Sequence, residues 1–278
     1  MKSFKKITTL ALAAVTAAFV LAGCGSKGSD IGQEKTNISY AKGSGPYSEL
    51  FEEAIIPILK EKGYTFECVE ITLNEADVVI NDGDVDLSVE QHTAYMDAFN
   101  ASADGNLVAL SRIPTVPASV FSDKHASVDE IADGMTVAIP QDAGNMARAM
   151  IMLQDLGWIK LKEGTSKATA SPEDVETYYY NITIRELATT LIATTLEDFD
   201  YGIITGSIVT YTGLDPSTAL FNENLSDEFW LQVVVKAENQ NTQWAKDVVA
   251  AYQSEEFLNW IAENNGPKYN YLWSIPKY

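Results

Sequence analysis

"AIPQDAGNMARA", residues 138–149, changes character at its third position, and that change decides the fold. The segment leading into it, 135–139, is an apolar run containing β-branched residues and reads as a strand. Pro140 removes the next ladder donor and stops it. Asp142 or Asn145 can then cap a helix, and 146–156 continues with apolar residues at helical spacing. Strand, tight polar turn and helix start thus follow one another directly, as they do where α/β sheets bind ligands. Arg148, one of three arginines in the chain beside Arg112 and Arg185, falls in the first turn or two of that helix. Free backbone N–H groups and the positive end of the dipole favour an anion there, and a guanidinium adds a bidentate fork for a carboxylate. Spacing alone also allows a surface arginine paired with Asp142 or Asp155.

Working outward, the same alternation recurs. A strand at 37–41, an amphipathic helix at 47–62 and a strand at 66–71 make a βαβ opening. Further strands are expected at 87–90, 107–113, 119–121, 182–184, 201–204 and 230–235, with helices between them, including 145–156, 186–195 and 242–253. The pattern implies an α/β fold with mostly parallel sheets covered on both faces. No internal repeat interrupts it.

The first residues follow a three-part plan: Lys2, Lys5 and Lys6, an apolar stretch at 7–20, then Leu21-Ala22-Gly23-Cys24. This is a secretory leader ending in a bacterial lipobox, so residues 1–23 are expected to be removed and Cys24 to carry a diacylglycerol. An uncleaved membrane helix is the alternative, but the apolar run is short for the roughly 20 residues a span needs. Residues 24–35, rich in Gly, Ser and charge, read as a tether. Of the two cysteines only Cys68 remains in the folded part, so no intramolecular disulfide forms and the core must hold the domain alone. Loss of the leader's three lysines takes the net charge from −20 to −23. A surface that acidic argues against nucleic acid as a partner and against broad adhesion to anionic lipid.

Catalytic constellations are scarce. The two histidines, His92 and His125, have no metal-ligand spacing, and H-E-x-x-H, P-loop and G-x-S-x-G motifs are absent. Asp82, Asp84 and Asp86 imitate the start of a calcium loop, but Leu87 stands where Gly is needed and Thr93 where Glu is needed, so a solvated turn is expected. Gly43-Ser44-Gly45 before Pro46 reads as a turn, with a weak second reading as an anion-holding helix start. "EQHTAY", 90–95, gathers a carboxylate, an amide, an imidazole and a phenol at a strand end. A lone histidine there is structural or a ligand contact.

Gly43-Ser44-Gly45-Pro46 before a helix, Gly83-Asp84-Val85-Asp86, Gln91-His92 with Tyr95 and Phe99-Asn100, and Ala138-Ile139-Pro140 with Asn145, Arg148 and Ala149 together resemble the NlpA/MetQ-type substrate-binding lipoproteins of methionine ABC importers. The resemblance covers nearly all of the chain after the leader. It implies a two-lobed periplasmic-binding-protein fold, type II-like, whose lobes are joined by two crossing strands. Lobe 1 would comprise 36–120 and 222–278, and lobe 2 would comprise 121–221. By the same resemblance Arg148 holds the α-carboxylate of a free amino acid, Asn145 is its neighbour in the same turn, and His92 and Tyr95 line the side-chain pocket. Departures from the family pattern fall at Glu90, where an aromatic is usual, at Thr72-Leu73, where an Asp-Tyr pair is usual, and at Tyr178 and Thr205, which align with two ligand-clamping asparagines. The implied protein is no enzyme and uses no cofactor. It is a monomer held to the extracytoplasmic face of the cell membrane by its lipid, delivering methionine to permease and ATPase subunits. Glu90 leaves open a more polar or cationic amino acid or a short peptide, and a surface sensor or adhesin without transport is the reading from another class.

Overall fold

Side chains that alternate along single strands build the layers. In the strand Leu231–Lys236, Val233 and Val235 join one buried cluster and Val234 another. Along Thr136–Pro140, Val137 and Ile139 part from Ala138 in the same way. A strand apolar on both faces must be covered on both, so each belongs to a sheet sandwiched between helices. The structure, a computed structural model, describes residues 35–43, 45–265 and 273–278. The expected leader, Cys24, the tether up to residue 34 and Ser44 lie outside the described residues.

The strands are β1 Asn37–Lys42, β2 Thr65–Glu70, β3 Leu87–His92, β4 Leu107–Arg112, β5 Ser119–Phe121, β6 Thr136–Pro140, β7 Ile159–Leu161, β8 Val175–Tyr178, β9 Thr183–Leu187, β10 Tyr201–Ile204, β11 Phe221–Asn222 and β12 Leu231–Lys236. One sheet has the order β2-β1-β3-β12-β4, a second β11-β5-β10-β6-β9, and β7 and β8 form a separate hairpin. The two sheets give the α/β, two-lobed arrangement. Four strands of each sheet point the same way, as expected of mostly parallel sheets, and one runs against them. β1 is parallel to β2 and β3, and β6 to β9 and β10, whereas β12 and β5 are antiparallel to both of their neighbours. These two strands belong to the passages by which the chain changes sheet, β4 to β5 and β11 to β12. Without a crossover helix to reverse direction, such strands run against their neighbours. The connections 113–118 and 223–230 lie side by side: Ile113 N–H donates to the Leu231 carbonyl at 2.9 Å, and Glu223 N–H to the Ala118 carbonyl at 3.0 Å. Thr115 also exchanges backbone hydrogen bonds with Ser274 near the C-terminus.

Helices are α1 Pro46–Leu50, α2 Ile56–Glu61, α3 Leu73–Asp82, α4 Thr93–Ala103, α5 Ala143–Asp155, α6 Thr189–Thr194, α7 Gly206–Thr212, α8 Gln243–Tyr252 and α9 Glu255–Asn264. A π turn, Phe51–Ile55, joins α1 to α2. Pro57 lacks an N–H and crowds the preceding turn, and widening that turn accommodates it. α6 is shorter than the expected 186–195 because Glu186 and Leu187 complete β9, opposite Ile139 and Pro140. In the acidic run at 82–86, Asp82 and Asp84 are exposed, as a solvated turn requires, and only Asp86 is corrected. Asp86 is buried, accepts from Ser39 N–H at 2.8 Å and Ser39 Oγ at 2.9 Å, and pairs with Lys35, so it ties β1 to the turn before β3. No described helix is long and apolar enough to cross a membrane.

Candidate functional site

Several helices begin where the two sheets face each other. His92 is the N-cap of α4, Asp142 of α5, Ala188 of α6 and Thr205 of α7; Leu73 opens α3, and Tyr47 is the second residue of α1. All six residues border one cavity of about 260 Å³. Helix starts follow strand ends in this fold, so the cavity lies at the strands' carboxyl ends and is rimmed by positive dipole ends. That setting suits an anionic group.

A directional chain of hydrogen bonds spans the cavity from one sheet's helices to the other's. Tyr95 N–H donates to His92 Nδ1 at 3.1 Å. With Nδ1 an acceptor, the ring proton sits on Nε2 and is donated to Asn145 Oδ1, also at 3.1 Å. Asn145 Nδ2 in turn donates to Asp142 Oδ1 at 3.0 Å, and the same oxygen caps α5 by accepting Asn145 N–H at 2.9 Å. Burial, reinforced by the charge of Arg148, pushes the His92 pKa down to about 3, against the pull of its bond to Asn145. The imidazole is therefore a neutral positioning group. The elements carrying this chain touch closely: a Cβ on Gly144 would come within 2.9 Å of Tyr95 Cα and 3.2 Å of His92 Cε1.

Arg148 lines the cavity but is 3% exposed, and it pairs with neither Asp142 nor Asp155. Its Nε donates to both oxygens of Glu223 at 2.8 Å, and Nη2 donates to Glu223 Oε1 and, at 3.4 Å, to the Val116 carbonyl. Glu223 is as buried and also accepts Ala118 N–H. Burial works against the Arg148 charge, but Glu223 more than offsets it, and the arginine's pKa rises. The expected bidentate fork is thus already filled from the connection between the sheets. Nη1 donates to no described residue. Glu223 was not legible in the sequence, because the 75-residue separation carries no spacing signal.

Glu90 is buried at the cavity wall and neither turns outward nor waits unpaired. It accepts Ser48 N–H at 3.0 Å and the Ser48 hydroxyl, and a Gly43 backbone bond adds to these. The Gly45 N-cap of α1 has no side chain to offer, so Glu90 caps that helix from across the sheet. Burial raises its pKa, while the Ser48 and Gly43 bonds and Lys42 hold the rise in check. Thr205 borders the cavity and its hydroxyl bonds no described residue. Tyr178 is a correction: it lies in β8, opposite Ile159 in the separate hairpin, 44% exposed and away from the cavity lining. The short hairpin departs from both sheets, and alignment by position could not foresee it.

Two further residues emerge from the packing. Gln91, quoted above only as part of a motif, lines the cavity, and its Nε2 donates to Asp77 Oδ1. Burial pushes the Asp77 pKa up to about 6, moderated by that bond. The sequence does carry a signal for Asp77. Leu73, Ala76, Asp77 and Ile80 follow helical spacing, which sets an acid on an otherwise apolar face. No cluster of three or more His, Cys, Asp or Glu residues suited to a metal occurs among the described residues.

Comparison with known proteins identifies the family and the fold. The NlpA lipoprotein family matches residues 40–273. Outer membrane lipoprotein 1 of Mannheimia haemolytica is 30% identical over 265 residues, covering 91% of this chain and 94% of that protein. The D-methionine-binding lipoprotein MetQ of Salmonella typhi is 29% identical over 260 residues, covering 91% and 93%. A nutrient-binding protein from Burkholderia cenocepacia, solved bound to methionine, superposes with a TM-score of 0.78 at 25% identity, over 86% of this chain and all of that one.

Proposed function

Since the chain belongs to the NlpA lipoprotein family, we propose that it is the lipid-anchored substrate-binding protein of an ABC importer, taking up a free amino acid on the extracytoplasmic face. Methionine, the ligand named for its relatives, is the first candidate. The observation that carries the reading is the unpaired Nη1 edge of a buried, charge-fixed Arg148 at a cavity rimmed by helix starts. A ligand α-carboxylate meets a guanidinium that Glu223 holds in place, so little ordering is left to be done on binding. Asn145, held by Asp142 and His92, and the Thr205 hydroxyl offer polar contacts, while His92, Tyr95 and Leu73 wall the side chain. At about 260 Å³ the cavity falls just below the roughly 300–1,000 Å³ usual for drug-sized ligands, which favours one amino acid over a peptide. We place the hinge of the lobes at 113–118 and 223–230, so that Glu223 and Val116 bring Arg148 and the hinge into contact. Binding is non-covalent and the ligand leaves unchanged.

Mass spectrometry of the small molecule released on denaturing the purified protein, followed by calorimetry with L- and D-methionine, tests the reading. An amino acid that rebinds stoichiometrically is expected. A protein that binds none of the amino acids offered, or that converts them, contradicts it. Loss of amino-acid uptake on deletion separates the importer from a sensor or adhesin.

A further inference from the structure

Asp142, Asn145 and Arg148 stand three residues apart at the start of α5, and all three border the main cavity. Residues so spaced follow one ridge of a helix, with Cβ atoms about 5–6 Å apart from each to the next. The row is cationic at Arg148 and anionic at Asp142, and each end has an atom to spare. Arg148 spends Nε and Nη2 on Glu223 and Val116, while Nη1 donates to no described residue. Asp142 spends Oδ1 on the N–H and the Nδ2 of Asn145, and no described hydrogen bond or ion pair ends on its Oδ2. Neither Nη1 nor Oδ2 is among the buried atoms that are sealed off without a partner, so both are open at residues that line the cavity. Burial and Glu223 dominate the Arg148 pKa, and the nearby charge of Asp142 adds to its rise. Glu90, the other acid of the cavity wall, is spent on α1: Oε1 accepts the N–H and the hydroxyl of Ser48, and Gly43 adds a backbone bond.

We propose that Asp142 is a specificity-determining residue whose Oδ2 accepts the ligand's α-ammonium while Arg148 holds the α-carboxylate, so that the site selects α-amino acids against carboxylic acids that lack the amine. The proposal rests on the amino-acid reading and deepens it. The two charged groups of an α-amino acid are attached to one carbon, so their partners must stand close together on one wall, as neighbours along a helix ridge do. Asn145 lies between them and serves as a positioning residue: its two bonds to Oδ1 fix the carboxylate of Asp142 and thereby the direction of Oδ2. The cap of α5 thus has a second task, which Oδ1 alone does not require.

Calorimetry on the full-length protein in detergent, with L-methionine and 4-(methylthio)butanoate, tests this, because the two compounds differ only by the α-ammonium. The wild type is expected to bind methionine about tenfold or more tightly, as one charge-assisted hydrogen bond supplies. In Asp142→Asn the side-chain oxygen still caps α5, since asparagine caps as well as aspartate, and an NH2 group that cannot accept stands in place of Oδ2. The preference should then fall to about twofold or less, while the affinity for 4-(methylthio)butanoate is kept or raised, which also reports an intact fold. A methionine preference unchanged in Asp142→Asn overturns the proposal. So does its collapse in Glu90→Gln instead, which assigns the ammonium to Glu90, and so does equal binding of the two compounds by the wild type. In all three cases amino-acid binding itself survives; a wild type that binds no L-methionine overturns the methionine reading and this proposal together.

Discussion

Arg148 and Glu223 are each 3% exposed at the side chain and bonded through two guanidinium nitrogens, so the arginine has a structural task besides any ligand. Removing one partner of a buried ion pair strands the other charge, at a cost of about 3–5 kcal/mol. Arg148→Ala is therefore expected to lower the unfolding free energy by that amount, as well as to weaken ligand binding. Urea unfolding without ligand checks it, and an unchanged midpoint would mean that Glu223 finds another partner. Asp77 makes a second prediction, with a defined pH window. Its folded pKa of about 6 lies above the ordinary 3.8, so the folded state holds the proton more tightly. Stability is lost as pH rises through that interval and restored as it falls. A shift of this size corresponds to about 3 kcal/mol. Asp77→Asn should exceed the wild type in stability by up to that amount above pH 6 and match it below pH 4. Paired unfolding curves at pH 7.5 and 3.8 measure the difference, and equal gaps at both would count against a buried, uncompensated carboxylate.

At the scale of elements, α5 approaches α4 through Gly144. A methyl group there would meet the Tyr95 backbone and the His92 ring. Gly144→Ala should hold α5 off α4, disturb the bond from His92 to Asn145 and cost about 1–3 kcal/mol of overpacking. The expected outcome is a loss of roughly tenfold or more in affinity together with a lowered melting temperature. Undiminished affinity would show that the helices need not approach this closely to bind. The start of α1 follows the same logic of supply from a distance, because Gly45 cannot cap it and Glu90 of β3 does.

For the whole molecule, each sheet has its own buried clusters, and the two connections with the Thr115–Ser274 bridge join them. Separate main cores suit closure about the proposed hinge, with the Arg148–Glu223 pair beside it. The proposed membrane attachment is at Cys24, in the sequence before the first strand. A diacylglycerol supplies two acyl chains, enough for stable retention. Cys24→Ser is expected to move the protein to the soluble fraction and abolish acyl labelling. Retention of both in membrane fractions would place the anchor elsewhere.

The sequence by itself determined the order of the elements and which residues lead into the site. Proline, cap residues and hydrophobic period are local signals, and they fixed the turn at 140–145, the strands at 119–121 and 201–204 and the helix that carries Arg148. The set of motifs around Gln91-His92 and Asn145-Arg148 further marked the family. Only the tertiary structure decided what those residues meet. Glu223 on Arg148, Ser48 on Glu90 and Asp77 on Gln91 are contacts made 75, 42 and 14 residues apart, and no periodicity encodes such pairs. The same holds for strand direction. Local pattern says that a segment is extended, but β5 and β12 run against their neighbours because of where the chain crosses between sheets, a property of the path and not of any residue along it.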